Sequence, residues 1–538
     1  MTTIIHYFIS RLKELGLTHI FNVPGDYNFH MLDIMEYSDL KCYNATNELN
    51  GSYMTDGYAR VRGVGCMVTT YGVGELSCVN GFAGMYAERV FGIHAVGLPS
   101  DDILRNGKCI HHSLGNNNML AFYTAQQSLY TYATILSGSA EEMTSELDKA
   151  LIEGYIHQRP IYLGFPTNCV DTKVELPHSP LKIAKSDQVV FKEITQAIQS
   201  RMTEDSKVIA IVGAPVRRLK LSKFVERMIL NNNIPFTTYY GDKGIIWETL
   251  PNFIGVGNGD IVNKKVAEYM KSCDYVINIG GIPSDFHTGG FTLTLDPAKV
   301  IDIRPSCINV FGKLYQDIFM YDIIPSIAPH FPIFKTPLPG FLADYKEKDS
   351  FGNYFYENLT KNTCCGDIIV VETGSSNFNL AFQRLQAVVR VISQTVWGSI
   401  GWATAAAIGA QVAYKGRVIC VTGEGSHQLS LQEVASCGRY QVPVQFYVIN
   451  NDGYLIERML CKDPEIEYNN IAKMDYSKIP GVFHFDAHVD VLRSEADVDE
   501  HFKKRVTGPV YCEVITERYD SPYYTTILKR ELDRINKR

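Results

Sequence analysis

The sequence lacks any long hydrophobic run. Nowhere in its 538 residues do about 18 apolar residues follow one another, so we expect no membrane-spanning helix. The first predicted helix, from Ile4 to Leu17, is interrupted by charged side chains such as Arg11, Lys13 and Glu14, which excludes a signal peptide. The cytoplasm is therefore the expected compartment.

The sequence also lacks an excess of positive charge and a metal-binding pattern of cysteines. It has 51 Lys and Arg against 58 Asp and Glu, a net charge of -7, which gives no support to nucleic-acid binding. Its 13 cysteines are scattered without metal-ligand spacing, and the adjacent Cys364 and Cys365 suit neither a ligand pair nor an easy disulfide. We expect reduced thiols, as in a cytosolic enzyme.

Alternating helices and strands divide the chain into three regions. The length predicts roughly three domains, and we interpret the polar stretch at 174–190 and the proline-rich stretch at 331–339 as linkers. The predicted domains are 1–173, 191–335 and 350–538, of α/β class, with parallel sheets covered by helices on both faces. The predicted strands include His19–Val23, Lys41–Asn44, Gly65–Thr70, Pro160–Phe165, Val208–Val212, Tyr275–Ile279, Val300–Ile303, Ile368–Val371, Val389–Ile392 and Pro509–Ile515, and a charged helix runs from Thr525 to the end.

An internal echo links the first and third regions. The glycine turns that begin at Gly72 and Gly423 both follow apolar strands, and the strands that open after Arg159-Pro and Gly508-Pro repeat the relation. The two offsets are 351 (423 minus 72) and 349 (508 minus 159) residues. We therefore predict that one fold is used twice.

The most informative stretch is a predicted βαβ unit in the third region. The apolar run Val418–Val421 is read as a buried strand, the turn 423–426 follows it, and a second strand, Val444–Ile449, leads to the polar turn 450–453. Both turns should lie at the carboxyl edge of one parallel sheet. Between them we predict a helix whose apolar face carries Leu429, Leu431, Val434 and Ala435.

The chemistry of these turns suits a metal and a phosphate. The edge should gather Glu424, Ser426, Asn450 and Asn451, and carboxylate and amide oxygens suit Mg²⁺. Gly425 lets the backbone approach a ligand closely, and the following helix offers free N–H groups to an anion. Taken alone, the glycine turn is also typical of an ordinary strand-to-helix turn. Neither glycine turn gives a full dinucleotide-binding fingerprint, so a dehydrogenase is disfavoured.

The two turns together resemble the cofactor motif of thiamine diphosphate enzymes. NNDGYLIE, from Asn450 to Glu457, looks most like the 2-oxo acid decarboxylases of pyruvate and indolepyruvate type. The family has Asp in the middle of the glycine turn, whereas this chain has Glu424. The resemblance extends over VPGDYN at 23–28, NELNGSYMTDGYAR at 47–60, TTYGVGELS at 69–77, HHSLG at 111–115 and WGSIGWATAAAIGA at 397–410.

This resemblance implies an activity, cofactors and an assembly. It implies non-oxidative decarboxylation of a 2-oxo acid, pyruvate or a larger aliphatic or aromatic one, to an aldehyde and carbon dioxide, through an ylid and an enamine of thiamine diphosphate with Mg²⁺. A pyrimidine-binding and a diphosphate-binding domain would flank a middle domain. The active site would be completed between two subunits, which implies a homodimer at minimum and favours a homotetramer.

The resemblance also implies the catalytic residues. Glu48 would hydrogen-bond the pyrimidine ring of the cofactor, although a helix N-terminal acid is a simpler interpretation of Glu48 alone. Glu457 would lie near the substrate carboxylate. Asp26 and His112 would serve the later proton transfers, with His111 supporting them. Asp26 would otherwise be read as a turn residue.

Further residues would bind the cofactor, the metal and the substrate. Ile400 matches the apolar wedge between the two cofactor rings, and the carbonyl of Gly398 matches the partner of its amino group. The remaining cofactor contacts are Thr373, Ser375, Gly425, Ser426 and Asn451; the metal ligands are Glu424, Asn451 and Gly453; and the substrate pocket is formed by Asn377, Ile456 and Leu460. Because family members often carry an aromatic residue at the Asn377 position, we expect longer 2-oxo acids to be accepted beside pyruvate.

Two other functions stay open at this point. A carboligase of the same superfamily is disfavoured by the adjacent His111 and His112, which such enzymes lack in this place. A cofactor-binding protein with impaired catalysis and a structural or regulatory role is favoured only by Glu424 and the unusual His427.

Overall fold

The computed structural model describes residues 2–535. The first region forms a six-stranded sheet in the order β2-β1-β3-β4-β6-β5, and all its neighbouring strands are parallel. Its strands are β1 (His19–Asn22), β2 (Lys41–Asn44), β3 (Gly65–Thr70), β4 (Gly92–Leu98), β5 (Tyr132–Ile135) and β6 (Ile161–Pro166). Its helices are α1 (Ile4–Glu14), α2 (Phe29–Glu36), α3 (Glu48–Arg62), α4 (Val73–Ser77), α5 (Val79–Ala87), α6 (Asp101–Asn106), α7 (Ala121–Gln126) and α8 (Ala140–His157).

The middle region forms a seven-stranded sheet in the order β13-β12-β11-β10-β7-β8-β9. Five strands are parallel, but β12 and β13 pair antiparallel at one edge, which the prediction of a purely parallel sheet missed. Its strands are β7 (Val208–Val212), β8 (Phe236–Tyr239), β9 (Phe253–Gly257), β10 (Tyr275–Ile279), β11 (Val300–Ile303), β12 (Cys307–Val310) and β13 (Lys313–Gln316). Its helices are α9 (Gln188–Arg201), α10 (Pro215–Arg218), α11 (Ser222–Asn231), α12 (Lys264–Ser272) and α13 (Met320–Ile327).

The third region repeats the topology of the first. Its sheet has the order β15-β14-β16-β17-β19-β18, which is the first order with each strand replaced by its counterpart. Its strands are β14 (Ile368–Val371), β15 (Arg390–Ser393), β16 (Val418–Gly423), β17 (Gln445–Asn450), β18 (His488–Leu492) and β19 (Val510–Ile515). Its helices are α14 (Phe351–Lys361), α15 (Ser375–Ala381), α16 (Trp402–Ala413), α17 (Glu424–Gln428), α18 (Val434–Tyr440), α19 (Leu455–Leu460), α20 (Ile479–Val482), α21 (Glu495–Lys503) and α22 (Tyr523–Ile535).

Two element predictions need correction. The helix predicted after the Gly423 turn is three short pieces, α17, a 3₁₀ turn at Leu431–Glu433 and α18, and Leu429 lies between them with 48% of its surface exposed. The helix predicted from Thr525 begins two residues earlier, at Tyr523, and its predicted last residues, 536–538, lie outside the described residues.

The first and third regions share one core through the contact of α3 with α16. A methyl group added at Gly57 would lie 1.9 Å from the carbonyl oxygen of Ala406, and one at Gly409 would lie 1.8 Å from that of Met54. Only glycine permits this approach of the two backbones. Trp402 adds a buried contact, because its indole N–H donates to Asp56 at 2.7 Å.

Two further predictions concern the whole chain. Within residues 2–535, no helix combines the length and the apolar character that crossing a membrane requires. The cysteines of the described residues form no disulfide, and both Cys364 and Cys365 are exposed.

Candidate active site

A cavity of about 620 Å³ opens at the carboxyl edge of the third sheet. It lies where α15, α17 and α19 begin, so the strand ends and the helix starts of one βαβ unit line it. The predicted third-region residues that line it are Thr373, Ser375, Gly398, Ile400, Glu424, Gly425, Ser426, Asn451, Gly453, Ile456, Glu457 and Leu460. The sequence therefore predicted about half of the residues that line this cavity.

Glu424 bridges the two turns of that unit. Its Oε1 accepts hydrogen bonds from the backbone N–H of Gly453 at 2.7 Å and of Asn451 at 3.2 Å. The side chain of Glu424, one carbon longer than Asp, thus folds back onto the polar turn. Burial raises the pKa of Glu424 to about 7, although these N–H groups oppose the rise.

The polar turn leaves one acceptor atom unused. The Oδ1 of Asn451 is buried and has no hydrogen-bond partner among the described residues. A buried amide oxygen without a partner is costly in water-free surroundings, so it fits a site that a cation completes. Gly453, at φ +137°, has the Arg458 guanidinium 2.5 Å from where its Cβ would stand, which excludes other residues there.

Asn450 and Gly425 serve the same turns differently. Asn450 turns its amide away, because its Nδ2 donates to Glu513 at 2.7 Å, so the predicted gathering of Asn450 with the other groups is wrong. A Cβ on Gly425 would lie 2.6 Å from the ring of Tyr454. Gly425 therefore keeps this turn open toward the cavity.

The loop before α16 is held by first-region side chains that sequence reasoning missed. One carboxylate oxygen of Glu88 accepts from the backbone N–H of Thr395 at 2.8 Å, Val396 at 2.7 Å and Trp397 at 3.2 Å. Asn80 adds a bond to the Trp397 indole at 2.8 Å. These bonds position the segment that carries Gly398 and Ile400. No local signal could have found them, because they join residues some 300 positions apart.

Glu372 holds the other end of this loop, where α16 begins. Its buried carboxylate accepts from the N–H of Ala403 at 3.1 Å and of Thr373 at 3.3 Å. Burial raises the pKa of Glu372 to about 7, against these backbone donors. Because Glu372 directly follows β14, it ties the end of that strand to the start of α16.

A second cluster lies at the carboxyl edge of the first sheet. Nε2 of His111 is 2.5 Å from Oδ2 of Asp26, and Nε2 of His112 is 3.7 Å from Oδ1. The ring of His111 also stacks on Tyr27 at 5.1 Å. Asn28 shapes the Asp26 turn, since its Oδ1 accepts from Gly25 N–H at 2.9 Å. The structure thus brings together three residues predicted from separate motifs.

Glu48 lies against the first glycine turn, which also lies against the backbone of His112. A Cβ on Gly74 would lie 3.2 Å from Oε1 of Glu48, and a Cβ on Gly72 would lie 2.3 Å from the carbonyl oxygen of His112. Glu48 begins α3, where Asn47 caps the helix by accepting from Asn50 N–H at 2.8 Å. Burial raises the pKa of Glu48 above its ordinary value.

The two clusters do not meet within one chain. None of Asp26, Glu48, His111 and His112 lines the third-region cavity. The first cluster instead faces outward: side-chain exposure is 42% for Asp26, 61% for His111 and 32% for His112.

One predicted pocket residue does not reach the cavity. Asn377 is 1% exposed and is not part of the lining, whereas its neighbours Ser376 and Phe378 are, so the structure contradicts the prediction that Asn377 forms the pocket. On the α15 segment, the turn of the helix points Asn377 inward. Sequence reasoning missed the middle-region contributors to the wall, Tyr240 and Phe286.

His427 is a core residue. Its Nδ1 lies 2.8 Å from the Thr404 hydroxyl and its Nε2 lies 2.7 Å from the Tyr511 hydroxyl. Burial lowers the pKa of His427 to about 3, so the ring is neutral at pH 7. Both of its nitrogens are satisfied, and it offers nothing to the cavity.

Three family models match consecutive parts of the chain. Residues 2–115 match the N-terminal TPP binding domain of thiamine pyrophosphate enzymes, residues 195–321 the central domain and residues 372–514 the C-terminal TPP binding domain. The two binding domains fall on the two sheets of equal strand order. Fold and site together define the class of thiamine pyrophosphate enzymes.

Named relatives align with most of the chain. The pyruvate decarboxylase of Aspergillus fumigatus is 33% identical over 496 residues, covering 89% of this chain and 87% of the relative. Pyruvate decarboxylase isozyme 3 of Saccharomyces cerevisiae is 32% identical over 531 residues, 93% of each chain. The alpha-keto-acid decarboxylase of Mycobacterium leprae is 30% identical over 554 residues, covering 98% and 95%. This chain belongs to the thiamine pyrophosphate-dependent 2-oxo acid decarboxylase family.

Proposed function

We propose that this chain converts a 2-oxo acid to an aldehyde and carbon dioxide, using thiamine diphosphate. The observation that carries the proposal is the Asp26–His111 contact of 2.5 Å, with His112 beside it, on a domain that matches the thiamine pyrophosphate enzymes. Acid and base groups held together at a cofactor domain suit proton transfers to and from a reacting carbon and its oxygen.

The third-region cavity fits the cofactor. Two glycines in separate turns, Gly374 at φ +100° and Gly398 at φ +67°, leave the backbone without side chains where a flat ring system must approach. Thr373, Ser375, Gly425 and Ser426 would hold the diphosphate end, and Ile400, which is 37% exposed, would support the rings. When bound, thiamine diphosphate supplies the electron sink for the bond that breaks.

Mg²⁺ would bind between the two turns. Glu424, the side-chain oxygen of Asn451 and the carbonyl of Gly453 are the proposed ligands, and the partnerless Oδ1 of Asn451 supports this choice. All three are oxygen donors, which is the ligand type that Mg²⁺ prefers.

Each acid and base group has a proposed task. Glu48 would donate or accept the hydrogen bond to the pyrimidine ring nitrogen, and burial raises the pKa of its half-buried carboxyl. Glu457, exposed at the cavity, lies toward the substrate carboxylate. Asp26 and His112 carry the later proton transfers, and His111 holds Asp26 in place.

A second subunit would join the two clusters. We infer a homodimer at minimum, and a homotetramer made of two dimers, in the cytoplasm, with domains at 1–173, 191–335 and 350–538. Large apolar side chains stand exposed beside each cluster, which supports a covering surface. They are Val73, Leu76 and Leu114 near the first cluster, and Trp397, Ile400 and Leu429 near the cavity.

Product analysis tests the reaction. The full chain with thiamine diphosphate and Mg²⁺ is expected to release equal amounts of carbon dioxide and aldehyde from pyruvate, 2-oxoisocaproate or phenylpyruvate. Formation of a coupled hydroxyketone as the main product would favour the carboligase instead. Cofactor binding without turnover of any of these acids would favour the impaired protein.

Mixed dimers test the shared site. Glu48→Gln and Glu457→Gln chains, each nearly inactive alone, are co-expressed with different tags. If each site takes one cluster from each subunit, hybrid dimers carry one site with both changes and one intact site, so random mixing restores about a quarter of wild-type activity. The control is a mixture of Glu48→Gln with itself. A hybrid that stays inactive would place both clusters of a site in one chain and refute the inference.

A further inference from the structure

A group of imidazole and carboxylate side chains lies on the third region, away from the cavity. His488 and Asp490 alternate on β18, so both point to the same face of the strand. Nε2 of His488 is 2.9 Å from Oδ2 of Asp490, and Nδ1 of His501, on α21, is 2.7 Å from the same oxygen. The three ligand atoms lie within 4.8 Å of one another.

Two neighbours fix the orientation of the group. The hydroxyl of Tyr447 lies 3.0 Å from the other ring nitrogen of His501. A hydrogen bond of this kind, to the far nitrogen of an imidazole ligand, is typical of metal centres. Nζ of Lys504 lies 3.1 Å from Oδ1 and 3.3 Å from Oδ2 of Asp490, so its charge occupies the carboxylate and competes with a metal ion there.

We propose that His488, Asp490 and His501 bind a divalent transition-metal ion of the zinc type, at a site separate from the Mg²⁺ site. Two imidazole nitrogens and one carboxylate oxygen are a donor set that zinc prefers and Mg²⁺ does not. Zinc binds nitrogen at about 2.0–2.1 Å, so its donors stand roughly 3.3 Å apart. Small side-chain rotations open the present 2.7 and 2.9 Å contacts to that spacing.

Burial and proton positions suit this ion. His501 is 4% exposed and preformed, whereas the side chain of His488 is 35% exposed and leaves an entry path. When the metal binds Nδ1 of His501, the ring proton lies on Nε2, and Nε2–H donates a hydrogen bond to the Tyr447 hydroxyl.

The site lies toward the amino ends of the strands, whereas the proposed cofactor site lies at their carboxyl ends. His488 pairs with Val510 at the start of β19, whereas the cavity lies at the carboxyl ends of the strands. β18 is the edge strand of this sheet, so the ion would tie the edge to α21. We therefore expect metal loading to stabilise the third region and to leave the chemistry unchanged.

Zinc titration of the holoenzyme tests the site. The protein, with thiamine diphosphate and excess Mg²⁺, is stripped of transition metals with a chelator and titrated with Zn²⁺ by calorimetry, with Co²⁺ absorption as a second readout. Wild type is expected to bind one equivalent here, with a rise in Tm. His488→Gln and Asp490→Asn are expected to weaken this event at least tenfold, with kcat and KM unchanged. Lys504→Met, which removes the competing cation, is expected to tighten it.

A matched control separates this site from incidental binding. His178 and Glu175 form an exposed pair 3.1 Å apart, and His178→Gln is expected to leave the titration unchanged. Zinc bound at Asp26, His111 and His112 would survive in His488→Gln and disappear in His111→Gln. If the wild type binds no more zinc than Asp490→Asn and His488→Gln, the proposal is wrong.

Discussion

The first and third sheets have the same strand order, yet their glycine turns hold their carboxylates in different ways. After β3, Glu75 folds back on its own turn, where its Oε1 accepts from Gly72 N–H at 2.9 Å. After β16, Glu424 reaches across to the next turn, where it accepts from the N–H of Gly453. One turn is closed by its own side chain and the other is joined to a second turn. The same fold thus supports a structural carboxylate in one copy and a proposed metal ligand in the other.

The two edges also differ in exposure. Glu424 is 2% exposed at the third edge, whereas the His111 side chain is 61% exposed at the first. The third edge encloses a cavity, while the first presents acid and base groups on an open surface. The two edges therefore carry different chemistry although their sheets share one strand order, and the proposed reaction needs the groups of both.

The largest expected effect is on kcat and comes from a change in the first-region cluster. Glu48→Gln removes the carboxyl proposed to face the cofactor ring, so kcat is expected to fall by about 10²–10⁴-fold. Hydrogen–deuterium exchange at C2 of the bound cofactor should slow as well. Glu457→Gln, in the third region, is the control: it should lower kcat but leave the exchange at C2 near normal. Equal exchange in both variants would show that Glu48 has another role.

The next effect concerns the closed turn. Burial raises the pKa of Glu75 to about 7, and its Oε2 also accepts from Gln126 at 2.5 Å and Tyr162 at 3.0 Å. A raised pKa stabilises the fold below the unfolded value near 4.5, and this contribution is lost as pH rises through about 7. The free energy of unfolding of wild type, relative to Glu75→Gln, should therefore fall by about 3 kcal/mol between pH 4.5 and 8.

Urea unfolding of both proteins across this pH range measures the difference. Glu75→Gln should leave the affinity for Mg²⁺ unchanged, because the first turn holds no proposed ligand. A difference that does not vary with pH would mean that Glu75 is ionised throughout.

A smaller effect tests the joined turn. Since Mg²⁺ needs the ionised carboxylate and the pKa of Glu424 is about 7, apparent Mg²⁺ affinity should fall by up to about tenfold per pH unit below pH 7. Calorimetry with thiamine diphosphate at pH 5.5, 6.5 and 7.5 measures it. Glu424→Asp tests whether the shorter acid binds more tightly, and Glu424→Gln should bind weakly at every pH. A flat profile in wild type would contradict ligation by Glu424.

The smallest effect concerns the cavity wall. Phe378 lines the cavity and Asn377 does not, so Phe378→Leu should raise kcat/KM for phenylpyruvate relative to pyruvate by about tenfold. Asn377→Trp should instead lower Tm, because a large ring has no space at a 1% exposed position. Competing-substrate assays and thermal unfolding measure the two changes. An altered substrate ratio in Asn377→Trp at unchanged Tm would restore the original pocket prediction.

Much of the scaffold could be predicted from the sequence. The strands at Gly65–Thr70 and Val208–Val212 lie where apolar, β-branched runs predicted them, because fully buried parallel strands need such runs. The repeated glycine turns predicted the repeated topology. About half of the cavity residues were also predicted: the turn residues Glu424, Gly425, Ser426 and Asn451 from the βαβ pattern, and the others from the resemblance to a family.

The remaining features depend on contacts that sequence patterns do not encode. Leu429 was assigned to the apolar face of one helix, but the helix breaks there and the side chain is exposed. Asn377 was assigned by motif position, and a turn of helix decides which neighbour faces the cavity. Glu88 lies in another domain from the loop it holds, so only the assembled fold reveals its part.

The backbone contact between α3 and α16 has a mechanical consequence. Gly57 and Gly409 each lie so close to a carbonyl oxygen of the opposite helix that no methyl group fits between them. The first and third domains are therefore held in a fixed relative position at this contact. Sliding one domain over the other would drive main chain into main chain, so we expect no relative movement of the two domains at this contact. The contact also restricts which residues can occupy positions 57 and 409. Any side chain at either glycine would force apart the two elements that bring Glu48 and Ile400 to their edges.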